Sequence, residues 1–306
     1  MKKILYLECK TGAAGDMLMG ALYSLLTEEQ KAEFLEKMNQ IREEVHVIPQ
    51  EECKQGIGGI HMKVEINGAE EGEEEHHHHE DGHDHTEEDH SHIHEEHHEH
   101  THEGAHIHTH EEVHCHEHTH GEHIHTHEHT HAHGHHSHTS VAAILEQISK
   151  LDFGDQVKKH AEGIYREIAA AESKVHRTDM DQIHFHEVGS VDALIDVVGS
   201  SLAMEMLGVD EVQASPVCVG NGTVRCAHGV LPVPAPATAE IIKGMPVYCS
   251  SFDGELLTPT GAAILKYFVE TYTKEMHMEI EEIGYGFGTK DFAQLSCVRA
   301  FLGYQK

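Results

Sequence analysis

No CxxC pair, no stripe of basic residues and no long apolar run occurs in these 306 residues, and each absence removes a class of function. The seven cysteines (Cys9, Cys53, Cys115, Cys218, Cys226, Cys249, Cys297) are scattered and odd in number. That spacing argues against a disulfide framework or a cysteine zinc site, and leaves small buried hydrophobes as their ordinary role. Cys9 stands apart, because it ends the first strand beside a glycine turn. Only 21 lysines and arginines face 54 acidic residues, so nothing neutralises phosphates along a nucleic acid. No apolar run approaches the roughly 20 residues needed to span a bilayer, and MKKILYLECKTG has neither the apolar length nor the cleavage site of a secretory signal. A cytoplasmic location without membrane or nucleic-acid partners is expected.

One stretch lacks still more. Gly68 to His138 contains no lysine, arginine, aromatic or proline, yet holds 29 of the 37 histidines and 20 acidic residues. These carry 20 of the 33 net negative charges and leave the other residues, about 235 in number, at −13. A chain of this composition buries too little apolar area to offset its entropy, so residues 68–138 are expected to be a disordered insertion without metal. Neutral imidazole is the commonest protein ligand for transition metals. The run of HxH units through His106, His108, His110, His114, His116, His118, His120, His123, His125, His127, His129, His131 and His133 therefore predicts metal binding. A flexible chain imposes no geometry, so affinity should follow the Irving–Williams order.

Outside the tract, strands alternate with helices. Lys3 to Glu8 reads as a strand, Thr11 to Gly15 as a turn, and Asp16 to Leu26 as a helix. GAAGD matches neither the dinucleotide fingerprint nor the P-loop, and Asp16 would repel an anion, so helix capping or cation binding suits it better. A helix over Glu28 to Gln40 and a hairpin of Glu43 to Gln50 with Ile60 to Ile66 follow. Helices are predicted over Thr139 to Lys150 and Val157 to Val175, then a strand from Glu211 to Val219 and an extended piece over Thr223 to Val230. Three prolines make LPVPAPAT a stiff loop that cannot join a central sheet. A short helix at Ala239 to Gly244 and a strand at Pro246 to Cys249 come next. Thr258 or Thr260 should cap a helix reaching Thr271. Strands Glu275 to Glu282 and Cys297 to Leu302 flank a mobile glycine loop, GYGFGTKD. The class is α/β or α+β, a mixed sheet covered by helices.

Chemistry concentrates in IHFHEVGSVDALIDVV, Ile183 to Val198. His184 and His186 alternate with apolar residues along a strand, Gly189 breaks it, and Ser190 caps a helix carrying Asp192 and Asp196 on one face. Two imidazoles and two carboxylates suit a borderline divalent ion.

In chain order, KILYLECKTGAAGDM, IHFHEVGSVDALIDVVG, AHGVLPVPAPATAEIIKGMPVY, ELLTPTGAAIL and GYGFGTKD resemble the nickel-insertion proteins of nickel-pincer cofactor biosynthesis, the LarC family. The resemblance covers essentially everything outside the tract. It implies insertion of nickel into pyridinium-3,5-bisthiocarboxylic acid mononucleotide, with CTP as co-substrate alongside magnesium or manganese, and a lactate racemase-like client. It divides the chain into 1–67 and 139–306, two parts of one globular nickel-insertion domain, around the 68–138 insertion. It also implies that the C-terminal nucleotide-associated domain is absent and supplied by a separate chain; an oligomer is expected.

Under this resemblance His184, His186, Asp192 and Asp196 are the candidate nickel ligands. Glu187 and the histidines, His186 among them, are candidates for removing the ring proton, and Asp16 is a further catalytic candidate that helps to hold a cation. Lys10, Gly12, Gly15, His228, Thr258, Thr260 and Lys290, with Arg225, are candidates for holding the nucleotide substrate. Two other readings stand beside this one: a non-catalytic nickel storage protein or metallochaperone, in which the tract is the function and the folded part only docks on a partner, and metal-dependent hydrolysis of a phosphate ester by the same histidine and carboxylate cluster.

Overall fold

The computed structural model describes residues 1–70, 117–120, 123–126, 139–185, 187–292 and 294–305. It divides into two units, Met1–Glu73 with His136–Lys306, and Glu74–His135. In the second, Glu117–His120 and His123–Thr126 pair antiparallel, setting His118 against His125 and His120 against His123. The expectation of disorder and the remaining tract histidines lie outside the described residues.

The first unit is built on an eight-stranded mixed sheet. Its strands are β1 (Lys2–Glu8), β2 (Val45–Lys54), β3 (Ile57–Ile66), β4 (Glu211–Ala214), β5 (Thr271–Tyr272), β6 (Glu279–Phe287) and β7 (Cys297–Gln305), with the two-residue Ala69–Glu70 paired to β3. Their order is β5-β4-β1-β7-β6-β3-β2. β1 lies antiparallel to β7 and parallel to β4, and β6 is parallel to β3 through Gly286 and Phe287 alone. The mixed sheet matches the sequence expectation.

The helices are α1 (Gly15–Ser24), α2 (Glu28–Met38), α3 (Val141–Lys150), α4 (Asp155–His176), α5 (Val191–Leu207), α6 (Pro236–Ile241) and α7 (Pro259–Phe268). α1 rests on β3, β6 and β7, α5 on α1, and α4 on α5, which makes α5 a central helix. That position explains why α5 buries residues on every side, an unbroken run from Ala193 through Met204 that is mostly apolar. Phe34, Tyr165 and Phe185 are fully buried, each contributing about 1.5–3 kcal/mol of transfer free energy. Among the described residues no helix is long and apolar enough to cross a membrane.

Several sequence expectations need correction. GYGF is the buried end of strand β6, which starts later and ends later than predicted. Gly284 and Gly286 are there because helix α1 lies against them: a Cβ on Gly284 would meet the Ala21 carbonyl, and one on Gly286 the Met17 carbonyl. Glycines that look like loop signals in sequence are thus helix-to-strand contacts. The hairpin strands β2 and β3 extend further toward their turn than predicted. The strand after Ile183 is only His184–Phe185, paired with Thr139 and Ser140, because a tight turn at Glu187–Gly189 packs Gly189 on Phe185. The helix placed at Ala239 to Gly244 begins at Pro236, where a proline costs no hydrogen bond in the first turn.

Candidate functional site

Three helices begin at one place. The turn after β1 is stitched to the segment before α7 by Ala13 N–H donating to Leu256 O (2.8 Å) and Thr258 N–H donating to Ala13 O (3.1 Å). The approach requires glycine on both sides. Gly12 has φ +97° and faces the Leu256 carbonyl, and a Cβ on Gly261 would strike Ala13 O. Thr258 caps α7 by accepting from Gly261 N–H at 3.2 Å. Thr258→Ala should therefore lower stability by about 1 kcal/mol, read as a drop in the thermal midpoint. Ser190 caps α5 in the same way through Ala193 N–H.

α5 then delivers Asp196, only 5% exposed, against the backbone at the start of α1, where a Cβ on Gly15 would run into its carboxylate. The β6–β7 connection closes the fourth side. The cavity between them, open to solvent, is about 220 Å³ and is lined by Ala14 to Met17, Asp192, Asp196, Glu255, Leu256, Thr258, Thr260, Gly288 to Lys290, Phe292 and Ser296. Four carboxylates thus face one ammonium group, Lys290. Such a cavity attracts a divalent cation, while the amide ends of α1 and α7 offer places for anionic groups of a ligand.

Asp16 is the most structured of the four carboxylates. Its Oδ1 accepts from Met17 N–H at 2.7 Å, and its Oδ2 accepts from Thr289 N–H at 3.1 Å. Ala14, not Asp16, holds the cap position, so the capping role expected for Asp16 is replaced by a position in the first turn facing the cavity. Burial pushes its carboxyl above the ordinary carboxylate range; the two N–H bonds, the nearby His61 and the Thr289 hydroxyl offset part of this. The Tyr165 hydroxyl, fully buried and without a hydrogen-bond partner among the described residues, is pushed up by burial and then by Asp196 and Asp192.

Of the residues singled out in the sequence, Gly15, Asp16, Asp192, Asp196, Thr258, Thr260 and Lys290 meet in this cavity. Others do not line it. Lys10 pairs with Glu8, which also binds Arg299, and Gly12 serves the turn. His184 is exposed. His228, in the exposed turn between Thr223–Cys226 and Gly229–Pro232, packs at a tilt of 50° against His176 with ring centroids 5.1 Å apart, and Arg225 is exposed nearby. His186 and the side chain of Glu187 lie outside the described residues. Among the described residues no three histidine, cysteine or acidic side chains converge closely enough to hold a metal ion. Cys9 is buried and its thiol is pushed far up by burial, so it is a core residue and not a nucleophile. Sequence reasoning missed Glu255, Thr289 and His61. The first two sit inside quoted motifs, whereas a lone histidine on strand β3 gave no local signal.

A family model described as "Nickel insertion protein" matches residues 5–306. A "Putative nickel insertion protein" of Dictyoglomus thermophilum is 43% identical over 168 residues, 55% of this chain and 44% of that protein. Two proteins named "Pyridinium-3,5-bisthiocarboxylic acid mononucleotide nickel insertion protein" align over nearly the whole chain. The one from Clostridium kluyveri is 35% identical over 99% of this chain and 63% of its own length. The one from Geobacillus kaustophilus is 34% identical over 98% and 60%. The chain thus spans less than two thirds of the length of these relatives. No solved structure matches.

Proposed function

The chain belongs to the nickel insertion protein family, and from that premise we propose that it delivers nickel into pyridinium-3,5-bisthiocarboxylic acid mononucleotide at the cavity where α1, α5 and α7 begin. One observation carries this reading: four separate sequence motifs, TGAAGDM, VDALID, ELLTPTG and GTKD, contribute lining to one cavity. The two relatives matched over most of the chain carry that substrate in their names.

Nickel is the cargo. Asp192, Asp196 and Glu255 draw the cation in by charge without converging to chelate it, which leaves it free to pass to two thiocarboxylate sulfurs, softer ligands than carboxylate. His184 and His186, on the segment leading into α5, are the proposed donors that hand it on. Bond formation to the ring carbon between the sulfurs expels a proton, and Asp16 receives it, since burial has raised its basicity. Lys290 and the amides behind Thr258 and Thr260 take the substrate phosphate. The reading includes CTP with magnesium or manganese as co-substrate, handled by a separate C-terminal chain. A racemase-like enzyme is the proposed client.

The histidine tract acts as a reservoir. Nickel titration against a competing chelator tests this division. Deleting residues 68–138 should remove most bound nickel and leave about one ion per chain, which the pair His184→Ala with His186→Ala then abolishes. If all nickel leaves with the tract, the chain is a nickel store or metallochaperone, a reading favoured by its 29 clustered histidines.

A further inference from the structure

Asp16 does not end at the cavity wall. Its Oδ2 lies 3.4 Å from Thr289 Oγ1, which lies 3.3 Å from His61 Nε2, and His61 Nδ1 lies 3.0 Å from Glu52 Oε1. His61 is 6% exposed, while Glu52 lines a separate cleft of about 510 Å³ with Ser24, Gly59, Ile60 and Tyr285. A buried histidine thus bridges two solvent-connected recesses through one hydroxyl. The groups around it come from several elements: Glu52 and Lys54 on β2, Asp16 on α1, and Lys290 and Asp291 after β6. Lys54 Nζ donates to the Gly288 carbonyl (3.0 Å) and to Asp291 (2.8 Å), with Glu52 Oε2 at 3.5 Å, which holds the Thr289 loop on the hairpin.

We infer that Thr289, His61 and Glu52 form a proton path that carries the hydrogen ion taken up at Asp16 out of the cavity. The chain supports two complementary proton arrangements. With His61 neutral and its Nδ1–H donated to Glu52, Nε2 accepts the Thr289 hydroxyl proton, so a protonated Asp16 donates to Thr289 Oγ1. With His61 charged, Nε2–H donates to Thr289, whose hydroxyl then donates to an ionised Asp16. Moving between them transfers one proton from Asp16 to His61 through Thr289, with Glu52 stabilising the imidazolium. In the reaction the ring C–H bond breaks as the nickel–carbon bond forms, the proton goes to the Asp16 carboxylate, and the path passes it to His61. His61 then loses its Nδ1 proton to Glu52 and water, and exchange of the ring tautomer restores the Nδ1–H form whose Nε2 accepts the next proton. One proton leaves and no electrons change hands. With substrate bound over Asp16 in the 220 Å³ cavity, the path gives the base a second route by which to reset between turnovers.

This inference rests on Asp16 being the proton acceptor. Its test is steady-state insertion by the full chain, supplied with the C-terminal partner, in four variants: Thr289→Val, Thr289→Ser, His61→Gln and the double variant Thr289→Val with His61→Gln. Valine and serine both keep the Thr289 N–H bond to Asp16, but only serine keeps the hydroxyl. Thr289→Val and His61→Gln should each lower kcat about tenfold or more at unchanged KM, and serine should restore the rate. The double variant should be no slower than the worse single one, because the groups act in series. A valine variant at full rate, a serine variant as slow as valine, or effects that multiply would overturn the path. Asp16→Asn separates the two levels. Full activity in that variant sinks the reading of the cavity itself, whereas an inactive Asp16→Asn beside an active Thr289→Val sinks the path alone.

Discussion

Asp16→Asn should lower nickel insertion by about 10²–10⁴-fold while leaving nickel loading of the tract unchanged. Asparagine matches the shape, but its one amide oxygen accepts from only one of Met17 and Thr289 N–H, which bind different oxygens of Asp16 at 2.7 and 3.1 Å, so the variant loses basicity and one hydrogen bond. The pH profile supplies the sharper check. A carboxyl raised by burial is protonated at the foot of the profile, so the rate of the unmodified chain should climb with pH through a midpoint above the ordinary value of about 4. The residual rate of Asp16→Asn should lack that climb. Stability moves the opposite way. The native chain holds more protons than the unfolded one between about pH 4 and the raised value, so this group's contribution is complete below pH 4 and is lost as pH rises through the folded-state pKa. The denaturation midpoint of the chain, measured relative to that of Asp16→Asn, should therefore fall as pH rises from acid toward neutral. A variant that inserts nickel at the original rate removes Asp16 from the chemistry.

Gly286→Ala should be the most damaging small substitution in the fold, costing about 3 kcal/mol or more. A single methyl there would overlap the Met17 carbonyl and sit within contact distance of Ala21 N, both backbone atoms of α1, so no rotamer change relieves it. Either β6 separates from β7 or α1 lifts from the sheet. Lifting α1 moves Asp16 as well, since Met17 and Asp16 share its first turn. For a folded part of this size the thermal midpoint should fall by roughly 10 °C, and insertion should fail even below that midpoint. Gly58→Ala, where a Cβ would meet nothing within 4 Å, is the matching control and should leave both nearly unchanged. An unaltered midpoint in Gly286→Ala would mean that α1 does not bear on β6 as described.

Much of this was present in contiguous residues. The start of β1, the caps at Ser190 and Thr258, the apolar helices and the exclusion of the proline segment from the sheet each follow from neighbours a few positions apart. Capping and periodicity act over one or two turns. The histidine tract likewise declares its metal chemistry by composition. Asp192 and Asp196 share a helix face by spacing alone, and both do reach the cavity.

Convergence was not legible. Asp16, Glu255, Lys290 and the α5 carboxylates are separated by up to 270 residues, and nothing local says that they meet. They do so because β1 pairs with β7 and α1 lies between β6 and α5, an arrangement set by sheet order and by glycines that admit backbone against backbone. The same cause misled the reading of GYGF, since a glycine that breaks an isolated strand is required in a strand that a helix touches. His61 makes the point most simply. In sequence it is one histidine in IHMKV; only the register of β2 with β3, and the approach of the Thr289 loop, give it Glu52 on one nitrogen and a hydroxyl on the other. Sequence alone determined most of the elements and marked out the histidine tract by its composition. The cavity, its raised carboxyl and the chain of hydrogen bonds behind it belong to the tertiary structure, because desolvation and proximity are properties of packing and not of any one segment.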